Sequence, residues 1–381
     1  MNTGTATTDG QTQSLAKGAI GTALLHIERA HTGTGDWPTA HARVRDAASA
    51  PIIATSDACL YFGAPALAFL LHAAEADGVP RYATARTRID TAVTALAHRR
   101  LDRAHARIDR AEPAAFAEYD LLHGLTGIGA HLLHHDPDDD ALGRVLAYLV
   151  RLTEPLHVDG HKLPGWWVHH DPQRGASGPF RGGHANLGLA HGITGPLALL
   201  AQALRRQIEV DGQHEAIDTI CTWLDRWRHP GEAGAWWPQW IRFDGRTDQT
   251  GPLRPSWCYG TPGLARAQQL AAIATGNTAR QRMAETALAD CLADPNQLAR
   301  VHEPGLCHGW AGLYQTATRA ASDALTPAIS THLPFLLDQL TQEKDDTEGF
   351  LDGHAGTALT LDTAERGAPP VTEWDACLLI N

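Results

Sequence analysis

The sequence predicts an all-α protein, an α/α toroid in which seven helical hairpin repeats close into a double ring, with room for short strands only in two inserts. Three observations carry this expectation. A Gly-x-x-Gly slot recurs along the chain, with Ala66 replacing the second glycine in one copy, at Gly18-Ala-Ile-Gly21, Gly63-Ala-Pro-Ala66, Gly124-Leu-Thr-Gly127, Gly192-Ile-Thr-Gly195, Gly260-Thr-Pro-Gly263, Gly309-Trp-Ala-Gly312 and Gly353-His-Ala-Gly356. Each copy opens an Ala/Leu-rich run such as Pro196-Leu-Ala-Leu-Leu-Ala-Gln-Ala-Leu204, apolar on nearly every side, as a helix buried on most faces requires. The copies lie between 44 residues (Gly309 to Gly353) and 68 residues (Gly124 to Gly192) apart, enough for an inner helix, an outer helix running back, and loops.

In chain order, residues 1–13 have the Thr/Gly/Gln composition of a disordered tail, which leaves 14–381 as a single domain. Helical segments are expected at about 15–30, 44–54, 58–76 and 83–110. The run Asp136-Pro-Asp-Asp-Asp140 reads as a loop and helix N-cap rather than a metal site, because Asp at a helix start satisfies free backbone N–H groups. Two segments break the pattern, 156–186 and 228–256, each a long insert directly before a repeat slot. The second holds Trp236, Trp237 and Trp240, which either grip a peptide from an exposed surface or simply cap the core.

At 381 residues, 43% apolar and 19% charged, the chain can bury a large core. A net charge of −12 argues against a nucleic-acid partner. No apolar run approaches the roughly 18 residues of a membrane span, and residues 1–13 lack a signal-peptide core; a soluble cytoplasmic protein is expected. Of the six cysteines, Cys59, Cys221, Cys291 and Cys377 read as buried thiols filling the core.

Glycine at a helix start permits close approach of backbones, so seven such starts can crowd at one end of the ring, and the residues before each glycine converge on a central mouth. Cys258 stands two residues before Gly260, Cys307 two before Gly309, and His308 one before it. Two thiolates and an imidazole suit Zn2+, and three protein ligands leave the fourth tetrahedral position open, the pattern of catalytic rather than structural zinc. One zinc per chain is expected, since no other trio shares the slot. In the same register, His191 and His123 precede Gly192 and Gly124 by one, Tyr259 precedes Gly260, Asp120 lies four before Gly124 and Arg254 six before Gly260. A lone His at a helix start is more often a structural hydrogen-bonding residue, and His123 is read so.

Trp257-Cys258-Tyr259-Gly260-Thr-Pro-Gly263, Cys307-His308-Gly309, Leu187-Gly-Leu-Ala-His191-Gly192-Ile-Thr-Gly195 and Tyr119-Asp120-Leu-Leu-His-Gly124 together resemble the lanthipeptide cyclase, or lanthionine synthetase C-like, family, over the full chain. The resemblance implies a zinc-dependent cyclase of dehydrated precursor peptides, acting alone or with a lanthipeptide dehydratase in a synthetase complex. It implies Cys258, Cys307 and His308 as zinc ligands, His191 and Asp120 as acid/base residues, and Arg254 and Tyr259 as nearby active-site groups. In the reaction so implied, a substrate Cys thiolate adds to dehydroalanine or dehydrobutyrine and a positioned acid protonates the α-carbon, giving a (methyl)lanthionine thioether ring. Two other readings stay open on the residues. One is a prenyltransferase-like zinc enzyme that alkylates a thiol, which needs a basic pyrophosphate site where the mouth offers chiefly Arg254. The other is a zinc-dependent glutathione- or peptide-binding scaffold that turns nothing over. An inverting glycosidase needs two facing carboxylates, and only Asp120 is in register.

Overall fold

The computed structural model describes residues 12–158, 160–175, 178–343 and 347–381. The chain runs through α1 (Ala19–Thr32), α2 (Trp37–Ala47), α3 (Ala64–Ala74), α4 (Ala83–Asp109), α5 (Phe116–Tyr119), α6 (Leu125–His135), α7 (Asp140–Arg151), β1 (Leu156–Val158), β2 (His161–Leu163), β3 (His184–Asn186), α8 (Thr194–Arg205) and α9 (Gln213–Arg226). It continues through β4 (Trp240–Arg242), α10 (Thr261–Ala274), α11 (Thr278–Ala293), α12 (Pro295–Leu298), α13 (Trp310–Ser322), α14 (Leu333–Gln342) and α15 (His354–Arg366), and ends in a 3-10 turn over Trp374–Leu378.

Seven helices, α1, α3, α6, α8, α10, α13 and α15, each pack on the next, and α15 closes the ring onto α1. Outside them, α2, α4, α7, α9, α11 and α14 each lie against the inner helix that precedes them in sequence. The expected toroid is therefore present, with one difference at its last position. Among the described residues no outer helix follows α15; instead the C-terminal segment turns inward and is buried from Trp374 to Ile380. Carbonyls carried into a core need donors, and the ring supplies them. Trp257 Nε1 donates to Leu378 (2.9 Å), the Tyr61 hydroxyl to Cys377 (2.8 Å) and Arg266 Nε to Ile380 (2.8 Å). Arg319 holds the buried Asp375 through two bonds of 2.6 and 2.7 Å.

The repeat slot builds the mouth. Six inner helices start at the residue after the slot's first glycine, whereas α8 starts at Thr194, two residues beyond Gly192. The second glycine is a packing requirement: a Cβ at Gly263 or Gly312 would collide with the carbonyl oxygen of Trp257 or Leu306, six residues earlier. With the helix start pressed onto the segment that leads into it, neighbouring segments lie close enough to bond. Backbone amides link them in sequence around the ring: Leu15 to Tyr61 (3.0 Å), Leu351 to Ala16 (3.0 Å), Cys307 to Leu351 (2.8 Å), Cys258 to Cys307 (3.2 Å), Leu189 to Cys258 (3.0 Å) and Leu121 to Ala190 (3.1 Å).

Some local expectations are corrected. Residues 1–11 of the expected tail lie outside the described residues. Gln13 is buried, its side chain donating to Pro51 and accepting from Ile53, each at 2.8 Å, so ordered chain precedes residue 14. The helix expected at 44–54 is α2, starting at Trp37, because Asp36 caps it by accepting from Thr39 N (2.7 Å) and Pro38 suits its first turn. The Asp136–Asp140 run does serve as a cap: Asp139 accepts from Ala141 N at 2.8 Å. Cys59, Cys221, Cys291 and Cys377 are all free and buried.

The inserts contain the short strands allowed for them. β1 and β2 form a small hairpin, while β3 and β4 pair antiparallel with Asn186 opposite Trp240, joining one insert to the other. Trp236 and Trp237 are buried and cap the core; Trp240 is half-buried, its ring 6.1 Å from that of Tyr259. Among the described residues, no helix is long and apolar enough to cross a membrane.

Candidate functional site

Packing of α10 against α13 brings residues 258 and 307 side by side. Because Cys258 N donates to Cys307 O, the two slots run as neighbours, and one ligand atom from each of Cys258, Cys307 and His308 falls within 4.8 Å of the other two. Cys258 is buried, and Cys307 and His308 are half-buried. The hydrogen bond from Cys307, with help from His308, holds the Cys258 thiol well below its ordinary value despite burial. The same bond and burial push Cys307 well above, and the hydrogen bond with Cys258 raises His308. Two sulfurs and an imidazole nitrogen at this separation are a donor set that fits Zn2+.

A carboxylate orients the third donor. Glu303 Oε2 lies 2.7 Å from His308 Nε2, and Glu303 Oε1 is 3.4 Å from Arg254 Nη1. The contact is an ion pair, in which the carboxylate attracts the imidazole, and a ring nitrogen remains that could ligate a metal. Removing such a partner lowers metal affinity by about 10- to 100-fold. Glu303→Gln is accordingly expected to release zinc to a competing chelator at correspondingly lower chelator concentration, with unchanged helical content. Affinity equal to the wild type would show that Glu303 does not position His308.

The second group belongs to the neighbouring slots, joined to that of Cys258 through Leu189 N to Cys258 O. Asp120, with no exposed side-chain surface, accepts from His191 Nδ1 at 2.7 Å and lies 3.2 Å from His123 Nδ1. Its other oxygen accepts from the backbone N–H groups of His123 (2.6 Å) and Gly124 (2.8 Å). Burial alone would raise Asp120, but the bonds from His123 and His191 outweigh it and hold the carboxyl at about 2. The sign follows: ionised Asp120 stabilises the fold fully above the unfolded Asp value of about 3.9, and that contribution is lost as pH falls through about 2. His191 is further held by its stacked neighbour His123, with centroids 5.5 Å apart, and by Phe116 at 5.2 Å.

Tyr259 connects the two groups. It follows Cys258 directly, its ring centroid lies 6.3 Å from that of His191, and its hydroxyl accepts from Asn186 Nδ2 at 2.8 Å. Burial raises the phenol above its ordinary value, so the O–H stays protonated and free to donate. Gly188 makes room for this ring, since a Cβ there would come within 2.5 Å of it. Gly260, next along, sits at φ 100° and ψ −175°, a conformation essentially reserved for glycine. Gly260→Ala is expected to cost about 1–3 kcal/mol, read as a lower urea midpoint with unchanged slope; an unshifted midpoint would mean the slot relaxes without strain.

All seven residues expected from the sequence lie around the mouth. Arg254 joins the ligand side through Glu303, while Asp120 and His191 form their own pair. The sequence does not single out Glu303 and Asn186, while His123 makes a hydrogen bond to Asp120 as expected of a structural residue. A signal was available: Asn186, Arg254 and Glu303 each stand six residues before the first glycine of their slot.

The sequence profile of the family described as Lanthionine synthetase C-like protein matches residues 10–379. The chain belongs to this family. It is 23% identical over 277 residues to the Nisin biosynthesis protein NisC of Lactococcus lactis subsp. lactis. That alignment spans 69% of this chain and 64% of NisC, just under two thirds of the relative's length. Among solved structures, Nisin cyclase superposes with a TM-score of 0.82 over 97% of this chain and 92% of that one, at 20% identity; at that identity the likeness is one of fold.

Proposed function

We propose that this chain is a zinc-dependent lanthipeptide cyclase, which adds Cys thiolates of a dehydrated precursor peptide to dehydroalanine or dehydrobutyrine in the same peptide and so forms (methyl)lanthionine thioether rings. The observation that carries the reading is the pairing, in one mouth, of a Cys258–Cys307–His308 donor set with a buried carboxylate–imidazole pair. A zinc ion bound by the three residues would lower the pKa of a substrate thiol, ordinarily about 8.5, and keep it as thiolate at neutral pH.

The chain's own residues supply the proton chemistry. As the S–Cβ bond forms, the double-bond electrons move toward the neighbouring carbonyl and the α-carbon then takes a proton. Asp120 fixes His191 Nδ1 as the protonated nitrogen, which leaves Nε2 to exchange a proton with substrate. Tyr259, with its oxygen occupied by Asn186, has its O–H available to stabilise the developing negative charge. Arg254, tied to Glu303, adds positive charge on the ligand side.

In this reading the substrate comes from a dehydratase that converts Ser and Thr, the partner is the precursor peptide, and the reaction belongs in the cytoplasm. The test is mass spectrometry of a dehydrated precursor after thiol alkylation. Ring closure leaves the peptide mass unchanged but removes alkylatable cysteines. Loss of alkylation sites in step with enzyme and zinc supports the cyclase. Zinc-dependent peptide binding with every cysteine still alkylated would favour the non-catalytic scaffold.

A further inference from the structure

At the end of the ring away from the mouth, where the inner helices finish, three imidazoles and a carboxylate meet. His72 lies in the last turn of α3, Asp90 on the outer helix α4, and His131 and His135 one turn apart on α6. One ligand atom from each of His72, Asp90 and His131 falls within 4.8 Å of the other two. His72 Nε2 is 3.0 Å from Asp90 Oδ1. The His131 ring lies 5.5 Å from His72 and 5.1 Å from His135, and His135 stacks on His72 at 4.6 Å.

Two nitrogens of this cluster are buried without a hydrogen-bond partner, His131 Nδ1 and His135 Nε2, and His131 as a residue is only 2% exposed. Native cores seldom leave such atoms unsatisfied, and each instance calls for an explanation, an ion among them. Burial lowers His131 to about 3 and His135 well below the ordinary imidazole value, so both rings are neutral at physiological pH, the form that ligates metals. Arg86, beside Asp90, is already paired, with Glu75 at 2.9 Å and Asp90 at 3.5 Å. A recess of about 380 Å³, lined in part by His72, Glu75, Arg86, His134 and His135, opens beside the cluster at His72 and His135.

We propose that His72, Asp90 and His131, with His135 as an adjoining donor, form a second metal site for a divalent transition ion of the class imidazole prefers, Zn2+ or Co2+. It is independent of the cyclase site and raises the capacity of the chain from one ion to two. The ion would clamp the last turns of two inner helices, α3 and α6, to the outer helix α4, a structural rather than catalytic task.

Co2+ tests this on the full-length chain, because its spectrum separates the two donor sets. Thiolate ligands give an intense sulfur-to-metal charge-transfer band, whereas a His/carboxylate set gives only weak ligand-field bands. After chelator stripping, Co2+ loading and desalting, the wild type should hold two ions per chain. Cys258→Ala/Cys307→Ala should hold one, without the thiolate band, and its thermal midpoint should rise on adding Co2+. His131→Ala should also hold one, keeping the thiolate band. Should His131→Ala fail to fold, the half-buried His72→Gln reads the same loss. One ion in the wild type with an intact thiolate band, or two ions in His72→Gln, would overturn the second site without touching the first. Absence of the thiolate band from a wild type that still binds one ion would overturn the mouth site instead.

Discussion

His191→Asn is expected to leave metal content intact and slow ring closure by on the order of 10²-fold or more, the range that a positioned acid or base contributes. The expectation rests on geometry. Asp120 binds Nδ1 of His191 at 2.7 Å, while Cys258, Cys307 and His308 form a donor trio of their own. A fourth protein ligand would close the metal to substrate, so His191 belongs beside it. The measurement is a single-turnover time course of alkylation protection, together with metal content of the same sample. Asp120→Asn should fall in the same direction, since it loses the charge that fixes the tautomer. If His191→Asn loses its zinc, His191 is a ligand and its assignment as a proton carrier fails.

Cys258→Ala and Cys307→Ala are each expected to abolish cyclisation while the protein stays folded. Each variant removes a sulfur donor, leaving two protein ligands where three are required. The helical core does not lean on the metal as a zinc finger does: the slots are joined by backbone bonds that persist without either side chain, such as Cys258 N to Cys307 O. Loss of the Co2+ thiolate band, with unchanged circular dichroism, is the expected pair of readings. A full-strength thiolate band in both variants would mean that these cysteines are not the ligands. That band is a cleaner measure than total metal, because the cluster around His72 would hold an ion of its own.

Much of this protein was legible in one dimension. Seven slots, six of them Gly-x-x-Gly and one with Ala66 in place of the second glycine, each open an apolar run and specify seven buried helices, because a helix buried on most faces must be apolar all round. The register also singled out Cys258, Cys307, His308, His191 and Asp120, since a repeated backbone position is the same place in each unit. Glu303 and Asn186 share a second register, six residues before the glycine, that passed unread except at Arg254. The start of α2 was missed although Asp36 and Pro38 mark it, because the apolar pattern alone was followed there.

What the sequence by itself determined is the local unit and its chemistry: where each inner helix begins, which residue types precede it, and that soft metal donors occupy two of those positions. The tertiary structure alone decided which distant units touch. Cys258 meets Cys307 because packing α10 against α13 lays one slot against the next and lets their amides and carbonyls pair. His191 reaches Asp120 on the same condition, whereas Glu303 and His308 stand five residues apart in one slot. The inward turn of Trp374–Ile380 and the meeting of His72, Asp90 and His131 on three helices have no period that could announce them. Periodicity is a property of neighbours along the chain, whereas these contacts depend on how helices pack, which is set by the sum of the ring.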